Sequence, residues 1–370
     1  MAEQSIYADY APAFSVSAEG KDITAALRQS LTELTLTDNG GATAKADELQ
    51  ITLLSETLPL PSKGARLRVA LGFNDQLTDK GWFVVSGVAS SGPPRRIVIY
   101  ATAAPMNAQK QPGNVLSQKT RSWDNIRLAD LVKTVAGDNG LIPKVAAKLA
   151  DIRIDHLDQI AESDASLLTR LARMYDAVSK PAGGYWLFLE QGVAETVSGR
   201  SSEVVTITPD EVSDWSYSEG GRSSTTGKVV TGDRKEQGNI HVRYFDEADG
   251  RTKTAAVEHN GPSLVSPYTQ PEKTLAEQSA RARKTQAGRN ERKMTLTGPC
   301  RLKHLSLTAE SRVLTRNFGE REDNSWLTES LVFSLTSSGF RFTFNLVADI
   351  RQKNQTSQQS ADQNGPDYYG

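Results

Sequence analysis

The sequence is poor in the residues that most often carry out chemistry. Its 370 residues include one cysteine and four histidines. The lone Cys300 excludes an intramolecular disulfide and any Cys-x-x-Cys metal site. The histidines (His156, His241, His259 and His304) are scattered, without metal-ligand spacing or the context of a catalytic triad. We therefore assign no catalytic, cofactor-binding or metal-binding residue, and we expect a protein that is not an enzyme.

Long apolar runs and net charge are lacking as well. No apolar run reaches the roughly 18 residues of a membrane span, and no basic segment followed by an apolar stretch opens the chain. We therefore expect neither a membrane span nor a signal peptide, and the low cysteine content fits a reducing cytoplasm. The net charge is -1, from 43 basic and 44 acidic residues. Charge therefore directs the chain neither to nucleic acid nor to anionic lipid.

Alternating apolar and polar residues dominate both ends of the chain. The first segment has this period-two pattern around Leu34, Leu49 and Leu67, with Gly- and Pro-rich turns between the runs. A second segment alternates around Phe333 and Phe342, on either side of a Ser-Ser-Gly turn. Both patterns predict half-buried antiparallel strands that close into barrels or sandwiches.

Helical periodicity lies between the two β segments. Leu128, Leu131 and Val135 form one apolar stripe of a first helix. The stretch from His156 to Gln191 indicates a loop, a second helix, a turn and a strand. In that stretch Ser163 is the expected N-cap, and the negative charge of Asp164 in the first turn suits the helix dipole. We interpret the acidic residues near this helix start as a consequence of capping alone.

The same stretch resembles the late control protein D family, the tail-hub proteins of contractile-tailed phages, R-type bacteriocins and related injection machines. The family has an "ESDxxFLxRLA" helix before a "GxLxF" strand. The matching residues here are Glu162, Ser163, Asp164, Leu167 to Ala172, and Gly184 to Phe188. The β segments follow the family in the same order. A frequent histidine of the family's closing segment is absent between Trp326 and Leu335.

The resemblance implies a mainly β, α+β fold: two tail-tube-like antiparallel β-barrel or sandwich domains, an intervening α/β domain and a small inserted domain. We place the first tube-like domain at 1–105 and the α/β domain at 106–200. The second tube-like domain covers 201–238 and 293–350, and a strand-helix insertion covers 239–292. The polar segment 351–370 is expected to become ordered only against a neighbour.

The resemblance also implies a structural role. A homotrimer would form a pseudo-sixfold ring that adapts the hexameric tail tube to the trimeric central spike. The implied partners are the spike, the tail tube protein or tube initiator, the baseplate wedge proteins and the tape measure protein. The implied location is the tail baseplate of a virion or a tailocin. The sequence does not distinguish a phage from a bacteriocin or a secretion system.

Two other classes of function remain as alternatives. A tail-tip cell-wall hydrolase would need a carboxylate pair in a deep cleft, and a DNA-binding late-gene regulator would need a continuous basic groove. A phosphate-binding loop fails at Gly221 to Val229, because five residues separate the glycines and Val229 replaces the required hydroxyl.

The candidate interaction residues lie in the insertion and in the C-terminal segment. The motif Thr274-Leu-Ala-Glu277 predicts a capping box that opens a basic helix ending near Gly288. Its basic residues include Arg281, Arg283 and Lys284, with Arg289 at its exit, and we expect a solvated or partner-facing charged surface. Tyr368 and Tyr369 are expected to anchor the C-terminal segment.

Overall fold

The computed structural model describes residues 11–40, 45–103, 115–182, 184–193, 204–220, 238–259 and 263–350. Within them the chain is mainly β, as the sequence predicts. The first β unit comprises β1 (Pro12–Ala18), β2 (Lys21–Asp22), α1 (Thr24–Arg28), β3 (Leu31–Asn39), β4 (Glu48–Leu54), β5 (Arg66–Phe73), β6 (Gln76–Ser91) and β7 (Arg96–Ala103). The α/β unit comprises β8 (Gln118–Arg127), α2 (Leu128–Asp138), β9 (Ile142–Val145), α3 (Ala147–Ala150), β10 (Arg153–Ser163), α4 (Asp164–Tyr175), β11 (Ala177–Ala182) and β12 (Tyr185–Glu190).

The rest of the described chain forms a second β unit that is interrupted by an inserted unit. The second β unit begins with β13 (Val205–Ile207) and β14 (Asp214–Glu219). The inserted unit follows, with β15 (Gly238–Asp246), β16 (Arg251–His259), β17 (Leu264–Gln270) and α5 (Lys273–Asn290). The second β unit then resumes with β18 (Arg292–Pro299), β19 (Arg312–Thr315), β20 (Ser325–Thr336) and β21 (Gly339–Ala348). Short 3-10 turns at Pro209–Glu211 and Leu302–Ser306 connect its strands.

The two β units share one sheet of 13 strands, in the order β14-β18-β21-β20-β3-β4-β7-β6-β5-β1-β2, with β13 and β19 branching from β20. They also share one hydrophobic core, which runs from Phe14 to Leu346. The alternation that the sequence shows is the reason: Leu34, Leu49 and Phe342 point into this core, while their strand neighbours are less buried. The α/β and inserted units have core clusters of their own.

The two β units repeat the same scheme of strand pairing. We number the strands of each unit from one to six in chain order: β1, β3, β4, β5, β6, β7 in the first and β13, β14, β18, β19, β20, β21 in the second. In both units the first strand pairs with the fourth, the second with the third, the third with the sixth, the fourth with the fifth and the fifth with the sixth. One pairing differs in direction, because β1 and β5 are antiparallel while β13 and β19 are parallel.

The fifth strands of the two β units also have a register shift at the same position. The pairing of β6 with β7 shifts register just after Val85, and the pairing of β20 with β21 shifts just after Thr328. The backbone N–H of Val85 donates to the carbonyl of Ala65 at 2.9 Å, and that of Thr328 donates to the carbonyl of Ser311 at 3.0 Å. Each fifth strand therefore leaves its fourth strand at an equivalent residue, immediately before a β-bulge.

The recognised helix α4 begins as the sequence predicts. The Ser163 hydroxyl accepts a hydrogen bond from the backbone N–H of Ser166 at 3.2 Å. The apolar face of the helix is buried with that of α2 around Leu128, Leu171 and Phe188. The preceding residues differ from the prediction, because 156–162 lie in strand β10 and not in a loop. Their alternation is irregular, and pairing with the distant β8 makes them a strand.

The interpretation of Asp164 as a capping charge alone was incomplete. Its side chain has no solvent exposure and lies among four donors from other elements. The Lys119 ammonium donates to Asp164 at 2.6 Å, and the Asn139 and Gln159 amides donate at 2.8 and 3.0 Å. Arg121 also donates to it. Burial works against the charge of Asp164, but these hydrogen bonds outweigh it and lower the pKa of the carboxyl below its ordinary value.

Replacing Asp164 with alanine should destabilise the protein by about 3 kcal/mol, because it leaves buried donors and cations without their shared acceptor. Chemical denaturation followed by tryptophan fluorescence would measure the change. Asp130→Ala is the matched control, because Asp130 also lies in the first turn of a helix but pairs with Arg127 in solvent. Equal losses in the two variants would contradict a special role for the buried carboxylate.

Candidate assembly interface

The second half of β20 joins the two β units by pairing with β3. Residues Ser330 to Thr336 run antiparallel to Glu33 to Asn39. Phe333 lies opposite Leu36, and both side chains are buried. The contact is head-to-tail, because it uses the fifth strand of one unit and the second strand of the other.

A buried group of charges lies at the end of this junction. The Lys180 ammonium, on β11, donates to Asp38 at 2.6 Å and to Asp47 at 3.0 Å. It also donates to the carbonyl of Asn39 at 2.8 Å. Asp38 in turn accepts from the backbone N–H of Ala309, in the second β unit, at 2.9 Å. Three groups of the first β unit and one of the second thus meet around a lysine of the α/β unit, which fixes the α/β unit to both β units.

The two carboxylates of this group have opposite pKa shifts. Burial disfavours the charge of Asp38, but the ammonium of Lys180 outweighs burial and lowers the Asp38 pKa. Burial raises the pKa of Asp47 to about 7, helped by the negative charge of Asp38 and opposed by Lys180. The pKa of Lys180 is raised, because its two carboxylate partners outweigh the cost of burial. One lysine therefore balances one full negative charge well and a second one poorly.

These carboxylates line the wall of a cavity of about 760 Å³ between the α/β unit and the two β units. A carboxylate pair in a cleft is the feature that a hydrolase needs. Here Lys180 contacts both carboxylates directly, and the side chains of Asp38 and Asp47 are only 15% and 14% exposed. The geometry is that of an internal ion pair that holds units together.

The predicted basic surface on α5 is only partly formed. Arg281 is exposed and lies 3.9 Å from Glu277, Arg283 donates to the Ser266 hydroxyl at 3.3 Å, and Lys284 is exposed. The prediction for Arg289 was wrong. It is buried and donates to both carboxylate oxygens of Asp176, at 2.6 and 2.7 Å. Asp176 ends α4 in a left-handed conformation, so this ion pair joins the inserted unit to the α/β unit.

Other predictions on these elements have mixed outcomes. The capping box at Thr274 was wrong, because the N-cap of α5 is Glu272, two residues earlier, and it makes no side-chain cap. Strand β17, parallel to β15, was not predicted, since its residues do not alternate clearly. Tyr368 and Tyr369, and most of the glycine-rich loop from Gly220, lie outside the described residues.

The histidines and the cysteine lie apart, on different elements. His156 is exposed on β10, and His241 and His259 lie on β15 and β16. Burial lowers the pKa of His304 to about 4 and raises that of Cys300 to about 12. Across the described ranges, no three His, Cys, Asp or Glu side chains are grouped so that they could hold a metal ion. Nor does any helix there have the length and apolar character of a membrane span.

Lys180→Met should lower the stability of the protein by about 3 kcal/mol, because it leaves the buried carboxylates without their cation. Chemical denaturation would measure the loss, and limited proteolysis would test whether the α/β unit loosens. Lys148→Met removes a lysine that is 79% exposed and lies 3.6 Å from Glu190. This control should change stability little, and a similar loss there would contradict the assigned role of Lys180.

Asp47→Asn should remove part of the pH dependence of stability. A carboxyl whose pKa rises from 3.8 to about 7 on folding contributes stability below pH 3.8, and this contribution is lost as the pH rises toward 7. The variant lacks this loss but keeps an oxygen to accept from Lys180. Thermal melts between pH 4 and 8 should therefore show its melting temperature gaining on that of the parent as the pH rises. The exposed Asp75→Asn is the control, and a constant offset for Asp47→Asn would contradict the assignment.

Comparison with models of known protein families gives no match. Individual proteins do match. The chain is 28% identical over 363 residues to the probable baseplate hub protein of Escherichia phage 186, which spans 89% of this chain and 91% of that protein. It is 34% identical over 217 residues to the probable baseplate hub protein of Escherichia phage P2, which spans 58% of this chain and 55% of that protein.

Solved structures of low sequence identity share the fold. The 43 kDa tail protein of prophage MuSo2 from Shewanella oneidensis has a TM-score of 0.64 at 14% identity, over 92% of this chain and 99% of that one. The c3393 protein of E. coli, described as a component of the type VI secretion system, has a TM-score of 0.54 at 9% identity, over 90% of this chain and 76% of that one. The resemblance found in the sequence is confirmed: the chain is similar in sequence to the probable baseplate hub proteins of phages 186 and P2, and it shares its fold with phage tail proteins.

Proposed function

We propose that this chain is a structural subunit of a tail baseplate hub, and that three copies form a ring of six similar β units. The observation that carries the proposal is the repeated pairing scheme of the two β units. Two units of one architecture in each chain let three chains present six near-equivalent units. Such a ring would meet a sixfold tube on one face and a threefold spike on the other, which is the adaptation that the family resemblance implies.

The head-to-tail junction supports a ring. A heterologous contact of this kind continues from unit to unit, and it gives a closed ring when the rotation between units closes. An isologous contact between like surfaces would instead stop at two units. The junction of β20 with β3 is therefore the kind of contact from which a closed ring of six units can be built.

The proposed partners follow from this role. The ring would contact the central spike, the tail tube protein or tube initiator, the baseplate wedge proteins and the tape measure protein. Its location would be the tail baseplate of a virion or a tailocin. We keep Arg281, Arg283 and Lys284 as proposed contacts, because two of the three are exposed on α5. Tyr368 and Tyr369 remain proposed anchors for a neighbouring subunit.

The alternatives have less support in the described residues. Asp38 and Asp47 line a cavity, but both carboxylates are largely buried and accept hydrogen bonds from the Lys180 ammonium, so they are poorly placed to act as acid and base on a hydrolase substrate. A DNA-binding regulator would need a basic surface on α5, but Arg289 of this helix is buried in an ion pair with Asp176 and adds no charge to that surface. Both features are better explained as joints between units.

The copy number tests the proposal. Native mass spectrometry of the purified full chain should show a trimer, and quantification of the chain in assembled tails should give three copies in each tail. As a control, the same chain is measured at low concentration, where mass action should dissociate the trimer into folded monomers. A stable dimer, a hexamer or six copies in each tail would contradict the proposed threefold ring.

A further inference from the structure

Among the strand edges in the described part of the chain, those of β14 and of the second half of β6 lack a partner strand. Within the described residues, β14 is hydrogen-bonded to β18 alone and ends the shared sheet. Residues 87–91 of β6 pair with β7 on one side and have no strand on the other, because the pairing of β6 with β5 stops at Val84. Both edges therefore present backbone N–H and C=O groups to which another strand can bind.

These two open edges belong to the same strand positions that form the junction of β20 with β3 inside the chain. The fifth strand of the second unit, β20, binds the second strand of the first unit, β3. The open edges belong to the fifth strand of the first unit, β6, and to the second strand of the second unit, β14. A second chain placed head-to-tail would therefore bring together the same two strand positions that the single chain already joins.

The register of this contact can be derived from the repeat. On the fifth strands, Val85 corresponds to Thr328 by its backbone hydrogen bonds, so Ala89 corresponds to Val332. On the second strands, Thr37 pairs with Glu48 on the third strand, and Glu48 pairs with Thr102 on the sixth. In the second unit, Ser218 pairs with Lys293, and Lys293 pairs with Val347. Thr102 and Val347 are the neighbours of Ala101 and Leu346, which lie opposite Val85 and Thr328.

Ser218 therefore corresponds to Thr37. Val332 lies opposite Thr37 in the junction inside the chain. By the same correspondence, Ala89 of one chain should lie opposite Ser218 of the next.

We propose that residues 87–91 of β6 pair antiparallel with β14 of a second copy of this chain, with Ala89 opposite Ser218. This inference rests on the proposed ring and names its interface between chains. The two edges would then repeat the junction of β20 with β3, and the sheet would continue from chain to chain.

The chemistry of both edges fits a second copy. Residues 86–91 of β6 carry no charge and no proline, and in the derived register residues 87–91 lie opposite 216–220, where Glu219 is the one charged residue. Monomeric proteins usually protect an exposed edge with charges or proline, so an edge with so few of them is suited to pairing with another strand. In the derived register, the small Ser90 lies opposite Tyr217. Trp215, on the same strand, is 39% exposed and available for burial.

Cysteine cross-linking tests the pairing. Ala89→Cys and Ser218→Cys are introduced together into the full chain, which is oxidised at a concentration where native mass spectrometry shows the trimer. Six strands separate β6 from β14 within one chain, roughly 34 Å measured along the sheet, and covalent species of two or three times the chain mass show that the disulfide joins separate chains. Native Cys300 is buried and its pKa is raised to about 12, so it should react little.

Three controls make the result specific. Val332→Cys with Thr37→Cys is the equivalent pair inside the chain and should form an intramolecular disulfide, which shows that this pair geometry can be oxidised. Each single variant alone should give no ladder. A mixture of the two single variants should give one cross-linked dimer species, since each chain then supplies one half of the junction.

The expected result for the double variant is a ladder of covalent dimers and trimers on a non-reducing gel, with most of the chain cross-linked. A trimer by mass without cross-linking, while the pair inside the chain oxidises, would overturn this interface and leave the ring standing. Absence of the trimer itself would overturn the proposed ring and this interface with it.

Discussion

The pairing of β3 with the second half of β20 is the interaction on which the rest of the structure depends. It satisfies the backbone groups of two strand edges at once, and it makes one sheet and one core from two similar units. The α/β unit is then fixed at the end of this joint, where Lys180 contacts Asp38 and Asp47. The relative positions of three units thus follow from one strand pairing and one buried lysine.

Buried charges are used here as joints between units. Lys180, Asp164 and Arg289 each connect elements that are distant in sequence, and each has several partners that share its charge. Such groups add little net stability compared with apolar packing, but removing one partner is costly because the others stay buried. They therefore specify one arrangement of the units. This explains how a chain with a hydrophobic share of only 38% keeps a fixed geometry across several small cores.

The sequence was informative where structure is local. Period-two alternation predicted β3, β4, β20 and β21, and the Ser163 cap predicted α4, because these signals arise within a few residues. The ion pairs could not be predicted in the same way. Lys180 and Asp38 are 142 residues apart, and Arg289 and Asp176 are 113 apart. The strands β10 and β17 could not be predicted from local signals either, since each depends on a partner strand elsewhere in the chain. Two similar β domains were expected, but the pairing scheme that they share became visible only when the strand neighbours were known.

The two kinds of junction in the proposed ring need not be equally strong. The one inside the chain pairs seven residues of β20 and buries Leu331, Phe333 and Leu335. The one between chains would use five residues of β6, with Ser90 at the position of Phe333. Less apolar area would be buried there, so its free energy should be smaller. The two units of the first junction belong to one polypeptide, so this junction forms when the chain folds. Only the weaker junction must form on assembly. A ring built in this way should dissociate into folded monomers at low concentration and close as the concentration of the chain rises.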